Sequence, residues 1–167
     1  IDGQLDLLLL ALPVEHPDIE TLKLFDDHFL LAMPASRQID HAILATPALL
    51  ERDRLLLLEE GHCLREQALA FCSLRRIDNF DTFGASSLST IVQMVANDLG
   101  MTLLPELCIA LEARRADIRL MRFAAPQPKR AIGLAWRRSS PRRHHYAELG
   151  ALITAATAAQ MQAAARF

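Results

Sequence analysis

Residues 81–105, DTFGASSLSTIVQMVANDLGMTLLP, read as a strand, a helix and a second strand. Thr82–Ala85 is predicted as the first strand. Ser86 or Ser87 is predicted as the N-cap, because a short hydroxyl side chain can accept from the unpaired N–H groups of a first helical turn. Leu88, Ile91, Val92 and Val95 follow at helical spacing and make one apolar face. Gly100 falls where a left-handed residue closes a helix. Met101–Pro105 then returns as a strand. A crossover of this length builds parallel sheets.

Outward from this unit the alternation continues. Leu55–Leu58 is a buried-strand candidate, followed by a helix from about Cys63 to Ser73. Leu5–Leu12 has the length of a strand buried on both faces and is stopped by Pro13. Leu22–Phe25 and His28–Met33 are apolar stretches separated by Asp26 and Asp27. His41–Leu50 reads as a short helix and loop. Residues 106–112 form a short helix, and Leu120–Phe123 and Ala131–Trp136 are strands. Tyr146–Arg166 is an Ala-rich terminal helix with Leu149, Leu152 and Ile153 on one side. The pattern predicts an α/β fold with a mostly parallel sheet. Pro13 and Pro126 are the expected lobe boundaries, with the first and last segments packed together and the middle forming a second lobe.

The chain has 167 residues, 51% of them hydrophobic, enough for one ordinary domain or two small lobes. A net charge of −2 gives no compositional reason to expect nucleic-acid binding by this segment. Ile1 in place of Met leads to the expectation of a fragment or a processed product. The Leu7–Leu12 run follows Asp2 and Asp6 rather than a basic region, so no signal peptide is read, and it is too short to span a bilayer. Three cysteines are too few for a disulfide-stapled scaffold, which makes a reducing cytoplasm the expected compartment.

Two of those cysteines, Cys63 and Cys72, lie nine positions apart in the predicted helix. On an ideal helix they point in opposite directions, about 13 Å apart along the axis. A disulfide needs Cα atoms within about 7 Å. Three readings stand open. Both can be buried thiols, a common fate of free cysteine, and Cys72 between Phe71 and Leu74 fits it. Alternatively, Cys63 is reactive. It opens a helix after Glu60-Gly61-His62, where unpaired N–H groups favour an anionic sulfur, and peroxide oxidation at such a site yields a sulfenic acid that condenses with a second thiol. Closing that bond to Cys72 requires unwinding about two turns, which would make it strained and readily reduced. The third reading is metal binding by His62, Cys63 and Cys72, without the close-spaced ligand pairs of structural zinc.

GHCLREQ at 61–67, with Cys72 at its nine-residue spacing, resembles the peroxide-sensing members of the LysR-type transcriptional regulators. SLSTIVQMVA at 87–96, GMTLLP at 100–105, KRAIGL at 129–134 and Ser140-Pro141 follow in that family's order. The resemblance covers nearly the whole chain. It implies two α/β lobes of periplasmic-binding-protein type, one inserted into the other: residues 1–25 with 131–167, and 26–130. It implies that Cys63 is the peroxidatic and Cys72 the resolving cysteine of a reversible disulfide switch. Gly61, His62 and Arg130 fall on positions that line the family's peroxide pocket. Arg130 is expected to stabilise the thiolate and the leaving hydroxide, and His62 to add polarity and hydrogen bonding. The residue reading of Arg130 alone is a solvated strand-end arginine. Glu66 stands where the family commonly has Asp. The family's helix-turn-helix, its linker helix and the early part of the first lobe, including the threonines that help hold peroxide, are not among these residues. The first lobe is therefore expected to be incomplete, and this segment is not expected to bind DNA by that route.

The expected partners are hydrogen peroxide, a thiol reductant and further copies of the chain in a dimer or tetramer, with DNA and RNA polymerase engaged only through a full-length protein. No cofactor, metal or membrane is expected, and the chain is not expected to be an enzyme. A thiol peroxidase is a poorer reading, since a switch that refolds in each cycle turns over slowly. The runner-up is a LysR-type domain with inert cysteines that binds a small anionic inducer, with Ser86 and Ser87 at a helix start as the candidate contact. Cys108, among Leu107, Ile109 and Leu111, is expected to be a core or half-buried thiol. The basic stretch Arg137–His145 is expected to be a solvated loop, or else a partner surface.

Overall fold

In a computed structural model, residues 4–37, 44–51, 53–74, 80–113 and 116–164 are described. They fall into two compact units, Ile1–Asp27 with Lys129–Phe167 and His28–Pro128. The chain therefore crosses at 27/28 and 128/129. Pro13 marks no crossing, because it lies within the first unit between β1 (Leu7–Leu12) and β2 (Ile19–Pro34).

In the first unit, β7 (Lys129–Arg137) lies between β1 and β2. The β1–β7 pair is antiparallel, with Leu7 opposite Trp136 and Leu12 opposite Ala131. Helix α5 (Arg143–Ala164) packs through Tyr146, Gly150 and Ile153, not through the predicted Leu149 and Leu152, which stay exposed. The reason is Gly150: a Cβ there would lie 2.9 Å from Leu24 and 3.1 Å from Leu22 side-chain atoms, so the bare backbone sets the contact face. Trp136 and Tyr146 complete this core, their rings 5.5 Å apart. The expectation that Leu5–Leu12 is covered on both faces is not met. Leu8 and Leu9, which point to opposite faces of the strand, are both exposed; among the described residues β1 pairs on one side, with β7.

β2 is one continuous strand of 16 residues, where two stretches broken at Asp26 and Asp27 had been expected. The two acids stay in the strand because Lys129 and Arg130 on β7 neutralise them. In the second unit, β2 pairs antiparallel with β5 (Thr102–Pro105) on one side and β6 (Ile118–Met121) on the other. β3 (Leu55–Leu58) pairs parallel with β4 (Phe80–Ala85) and bridges in parallel from Leu55 to Met101 at the start of β5. The crossovers through α2 (Cys63–Leu74) and α3 (Leu88–Ala96) are thus parallel, as their length requires. The prediction of a mostly parallel sheet fails at β1, β2, β6 and β7. These strands lie outside the strand–helix–strand repeats, and nothing constrains them to run parallel. Short α1 (Pro47–Glu51), a 3₁₀ turn at Glu106–Cys108 and α4 (Ile109–Glu112) complete the unit.

All four leucines of β3 are buried, and the two-residue period of a strand divides them between two clusters. Leu55 and Leu57 join Leu31, Met33, Phe123 and Ala68 of α2. Leu56 and Leu58 join Ile91 and Val95 of α3. Each fully buried leucine is worth about 1.5–3 kcal/mol, so this four-residue strand anchors both helices.

Helix α3 starts as predicted. Ser87 is its N-cap, with Oγ accepting from the Thr90 N–H at 3.2 Å. It ends differently. Asp98, at φ 60°, takes the left-handed position, the Asp98 N–H donates to Val95 O and the Leu99 N–H to Met94 O, a Schellman closure. Gly100 has another task. A Cβ there would sit 2.4 Å from the Arg54 carbonyl oxygen, to which the Met101 N–H donates at 2.8 Å. Glycine is needed for the close approach of β3 and β5, not for the helix end.

Candidate redox site in the second unit

The site is built from the turn that leaves β3. Glu59 and Glu60 end the strand, and Gly61 takes φ 91°, a conformation that a side chain disfavours even where space is open, as it is here. The His62 carbonyl accepts from the Arg65 N–H at 2.9 Å and the Glu66 N–H at 3.4 Å, which starts α2. Cys63 is the first residue of that helix and is an exposed free thiol. His62, beside it, lies 3.8 Å through Nε2 from a Glu59 carboxylate oxygen. The predicted Gly61, His62 and Cys63 therefore form one contiguous group at a helix start.

Cys72 lies in the same helix, whose 12 residues run unbroken past it. Nine residues of α-helix rise about 13 Å and turn two and a half times. The backbone thus holds the two cysteines apart as long as α2 is intact. The Cys72 side chain lies outside the described part of the chain, as do residues 75–79. Cys108 is half-buried against the cluster of Leu30, Val92 and Leu104.

Beneath the first turns of α2 is a cavity of about 10 Å³, bounded by Leu57, Leu64, Arg65, Ala68, Leu88 and Thr102, with room for about one water. Arg65 Nε is buried at its wall and makes no hydrogen bond to protein, while Nη1 reaches Glu66 at 3.3 Å.

Arg130 belongs to the first unit. It is not the solvated arginine that its strand-end position suggested. Its side chain is 15% exposed, Nε donates to Asp27 Oδ2 at 2.9 Å, and Nη2 lies 2.9 Å from the same oxygen in an ion pair. Asp27 is fully buried. Sequence reasoning missed Asp27, although a signal was present: an acidic doublet inside one apolar strand and a basic doublet at the start of another. Next to it, Lys129 and Lys23 hold Asp26, each at 2.7 Å, and their hydrogen bonds lower its carboxyl to a pKa of about 2. Among the described residues, no three His, Cys, Asp or Glu side chains are grouped to hold a metal, and no helix is long and apolar enough to cross a membrane. Ser87 Oγ is occupied by Thr90 at the helix start where an inducer contact had been considered. In the basic stretch, Arg137 and Arg142 approach Asp6 at 3.8 and 3.5 Å, and residues 143–145 are the first turn of α5, not loop.

The chain thus holds two α/β units joined by two chain crossings, with a cysteine at a helix start in one of them. The family model described as the LysR substrate binding domain matches residues 1–158, and the chain belongs to that family. It is 40% identical over 162 residues to a probable hydrogen peroxide-inducible genes activator of Mycobacterium avium, a match that covers 96% of this chain and 52% of that protein. The reduced OxyR regulatory domain of Pseudomonas aeruginosa superposes with a TM-score of 0.76 at 36% identity, covering 91% of this chain and 73% of that one. A cysteine-to-serine variant of Corynebacterium glutamicum OxyR with hydrogen peroxide bound superposes at 0.91 and 29% identity, covering 99% of this chain and 53% of that one. The chain spans about half the length of the curated relatives it matches.

Proposed function

We propose that this chain is the peroxide-sensing regulatory part of a LysR-type transcriptional regulator, switched by a reversible Cys63–Cys72 disulfide. The observation that carries the reading is the placement of an exposed Cys63 at the first position of a helix that also contains Cys72. The Cys63 thiolate attacks one peroxide oxygen: an S–O bond forms, the O–O bond breaks, sulfur loses two electrons, and the departing hydroxide takes a proton to become water. The Cys72 thiolate then attacks the sulfenic sulfur, forming S–S and releasing a second hydroxide. A dithiol reductant resets the pair. Gly61, His62, Cys63 and Arg130 are assigned to peroxide binding, Arg130 as the cation that stabilises the leaving hydroxide. The second bond needs α2 to unwind, so oxidation becomes a change of order in the helix.

In this reading the unit His28–Pro128 carries the switch. The change is read out by a dimer or tetramer in the cytoplasm, and DNA and RNA polymerase are engaged through the whole protein. The chain consumes peroxide as a signal and not as an enzyme. Relatives named as peroxide-inducible activators and a peroxide-bound structural neighbour support this assignment.

The test is mass spectrometry after one equivalent of peroxide. A Cys63–Cys72 cross-link is expected, lost in Cys63→Ser and retained in Cys108→Ser. Both thiols remaining free after peroxide overturns the switch and leaves a domain that responds to a small anion, which calorimetry would then detect. Rapid multiple turnover with a thioredoxin-type reductant would instead make it a peroxidase.

A further inference from the structure

A net charge of −2 conceals how the charge is distributed. Residues 137–145, RRSSPRRHH, hold four arginines, two histidines and no acid. They run from the end of β7 through a turn into the first turn of α5, all within the first unit. Arg138, Arg142, Arg143, His144 and His145 are exposed, and Arg137 is half-exposed. Arg137 and Arg142 converge on the two oxygens of Asp6, at 3.8 and 3.5 Å, and Arg143 follows directly. The His144 and His145 rings lie 3.8 Å apart on the same turn. The fold gains little from this charge. Arginines that hold the structure elsewhere meet sheltered acids: Arg122 meets Glu106 and Arg130 meets Asp27, each acid buried. Asp6 is 61% exposed, and long ion pairs in water are worth little. Cations in the first turn of a helix oppose its dipole, and α5 has no acid there to balance them. The cluster is therefore neutral or unfavourable for stability, and a function that uses it draws negative charge from outside the chain.

We propose that residues 137–145 form a contact surface for the phosphate backbone of duplex DNA, independent of base sequence. Phosphate suits arginine, whose planar fork gives two parallel hydrogen bonds. An acidic protein would also bring negative charge, but protein interfaces draw on desolvated aromatic or apolar anchors. The aromatic residues at this corner, Trp136 and Tyr146, are buried in the core of the unit. Leu149, the first exposed large apolar side chain along α5, lies outside the cluster. Contact with backbone phosphate needs no such anchor. Single strands are held by stacking of bases on exposed aromatic rings, and the buried Trp136 and Tyr146 offer none, which favours a duplex. The contact needs neither a helix-turn-helix nor a reactive cysteine, so it stands or falls apart from the proposed switch.

The experiment titrates a labelled DNA duplex of about 20 base pairs with the reduced chain and follows fluorescence anisotropy at 50, 100 and 200 mM salt. Three phosphate contacts, by Arg137, Arg142 and Arg143, give a log–log salt slope of about −2.7, an affinity loss of about 40-fold across that range. A duplex of unrelated sequence should bind within about twofold of the first. Arg142→Gln combined with Arg143→Gln should reduce the slope by about 1.8. Lys23→Gln combined with Arg54→Gln makes the same change in net charge at exposed positions outside the cluster and should leave affinity within about twofold. Asp6→Asn removes the acid between Arg137 and Arg142 and should tighten binding about two- to fivefold. Circular dichroism checks that each variant is folded, and the Asp6 variant keeps the test if the double arginine variant is not. No binding of the duplex at 50 mM salt overturns the proposal, as does an unchanged slope in the Arg142 and Arg143 variant or weaker binding in Asp6→Asn. Poly-glutamate bound at least as tightly as the duplex also overturns it and makes an acidic protein the partner. An RNA duplex bound more than about tenfold tighter overturns the choice of DNA.

Discussion

Helices α2 and α3 both pack against β3, but they are secured differently. α3 buries Ile91, Val92 and Val95 to within 1% exposure, caps its start with Ser87 and closes its end with a Schellman turn. α2, among its described side chains, buries only Ala68 fully, with Leu64, Leu69 and Phe71 half-buried. The small cavity beside them is shared, lined by Leu64, Arg65 and Ala68 of α2 and by Leu88 and Ile91 of α3, so the contrast lies in side-chain burial and capping. Local opening follows packing: a segment with few buried apolar side chains opens at a lower free energy than the core around it. The proposed switch requires one helix to melt while its neighbour holds, and the packing divides those roles between α2 and α3.

Truncation tests the contrast most strongly. Ile91→Ala is expected to lower the urea-unfolding free energy by about 3 kcal/mol, and Leu69→Ala by about 1 kcal/mol, because less apolar area leaves water at position 69. Equal losses would remove the distinction between the helices. Hydrogen exchange reads the same difference without mutation. Amides of residues 67–72 should exchange about 10–100 times faster than those of 92–96 in reduced protein, a gap of about 1.4–2.8 kcal/mol. Equal protection would mean that α2 opens only with the whole unit, and the switch would then need global unfolding. Ser87→Ala should remove about 1 kcal/mol from α3 and narrow that exchange ratio. An unchanged ratio would show that side-chain burial, not the cap, secures α3.

How much of this was legible in the sequence depends on the range of the interaction. The α3 unit could be read because its cap, apolar period and flanking strands are local signals, as were the four leucines of β3 and the continuous helix from Cys63 past Cys72. Gly100 was misread because its constraint is a carbonyl 46 positions earlier, at Arg54, and local pattern carries no such information. Gly150 misled the reading of α5 for the same reason: the side chains it meets, Leu22 and Leu24, belong to the other end of the chain. Gly61, His62 and Cys63 could be grouped from the sequence because they are consecutive. The partnership of Asp27 with Arg130 in the first unit could not, since it appears only when β2 and β7 are paired across 103 positions.

The smallest expected effect lies outside the two helices and serves as their control. Asp26 has its pKa lowered from 3.8 to about 2 by hydrogen bonds from Lys129 and then Lys23. A carboxyl whose folded pKa is depressed adds stability above its unfolded pKa and loses it as pH falls through the folded one. The contribution is therefore complete above about pH 4 to 5 and disappears between there and about pH 2. The full shift corresponds to about 2.5 kcal/mol, and with the side chain a quarter exposed, solvent screening reduces this to about 1 kcal/mol. Asp26→Asn should flatten the acid limb of the stability curve by that amount, compared with the parent by chemical denaturation at pH 2, 3, 4 and 6. Asp26 belongs to the first unit and α2 and α3 to the second, so the variant should leave the exchange ratio of the two helices unchanged at each pH where the protein is folded. If the ratio moved with Asp26, the opening of α2 would be governed by the strand pair that carries Arg130, and weak packing of α2 would no longer suffice to explain it.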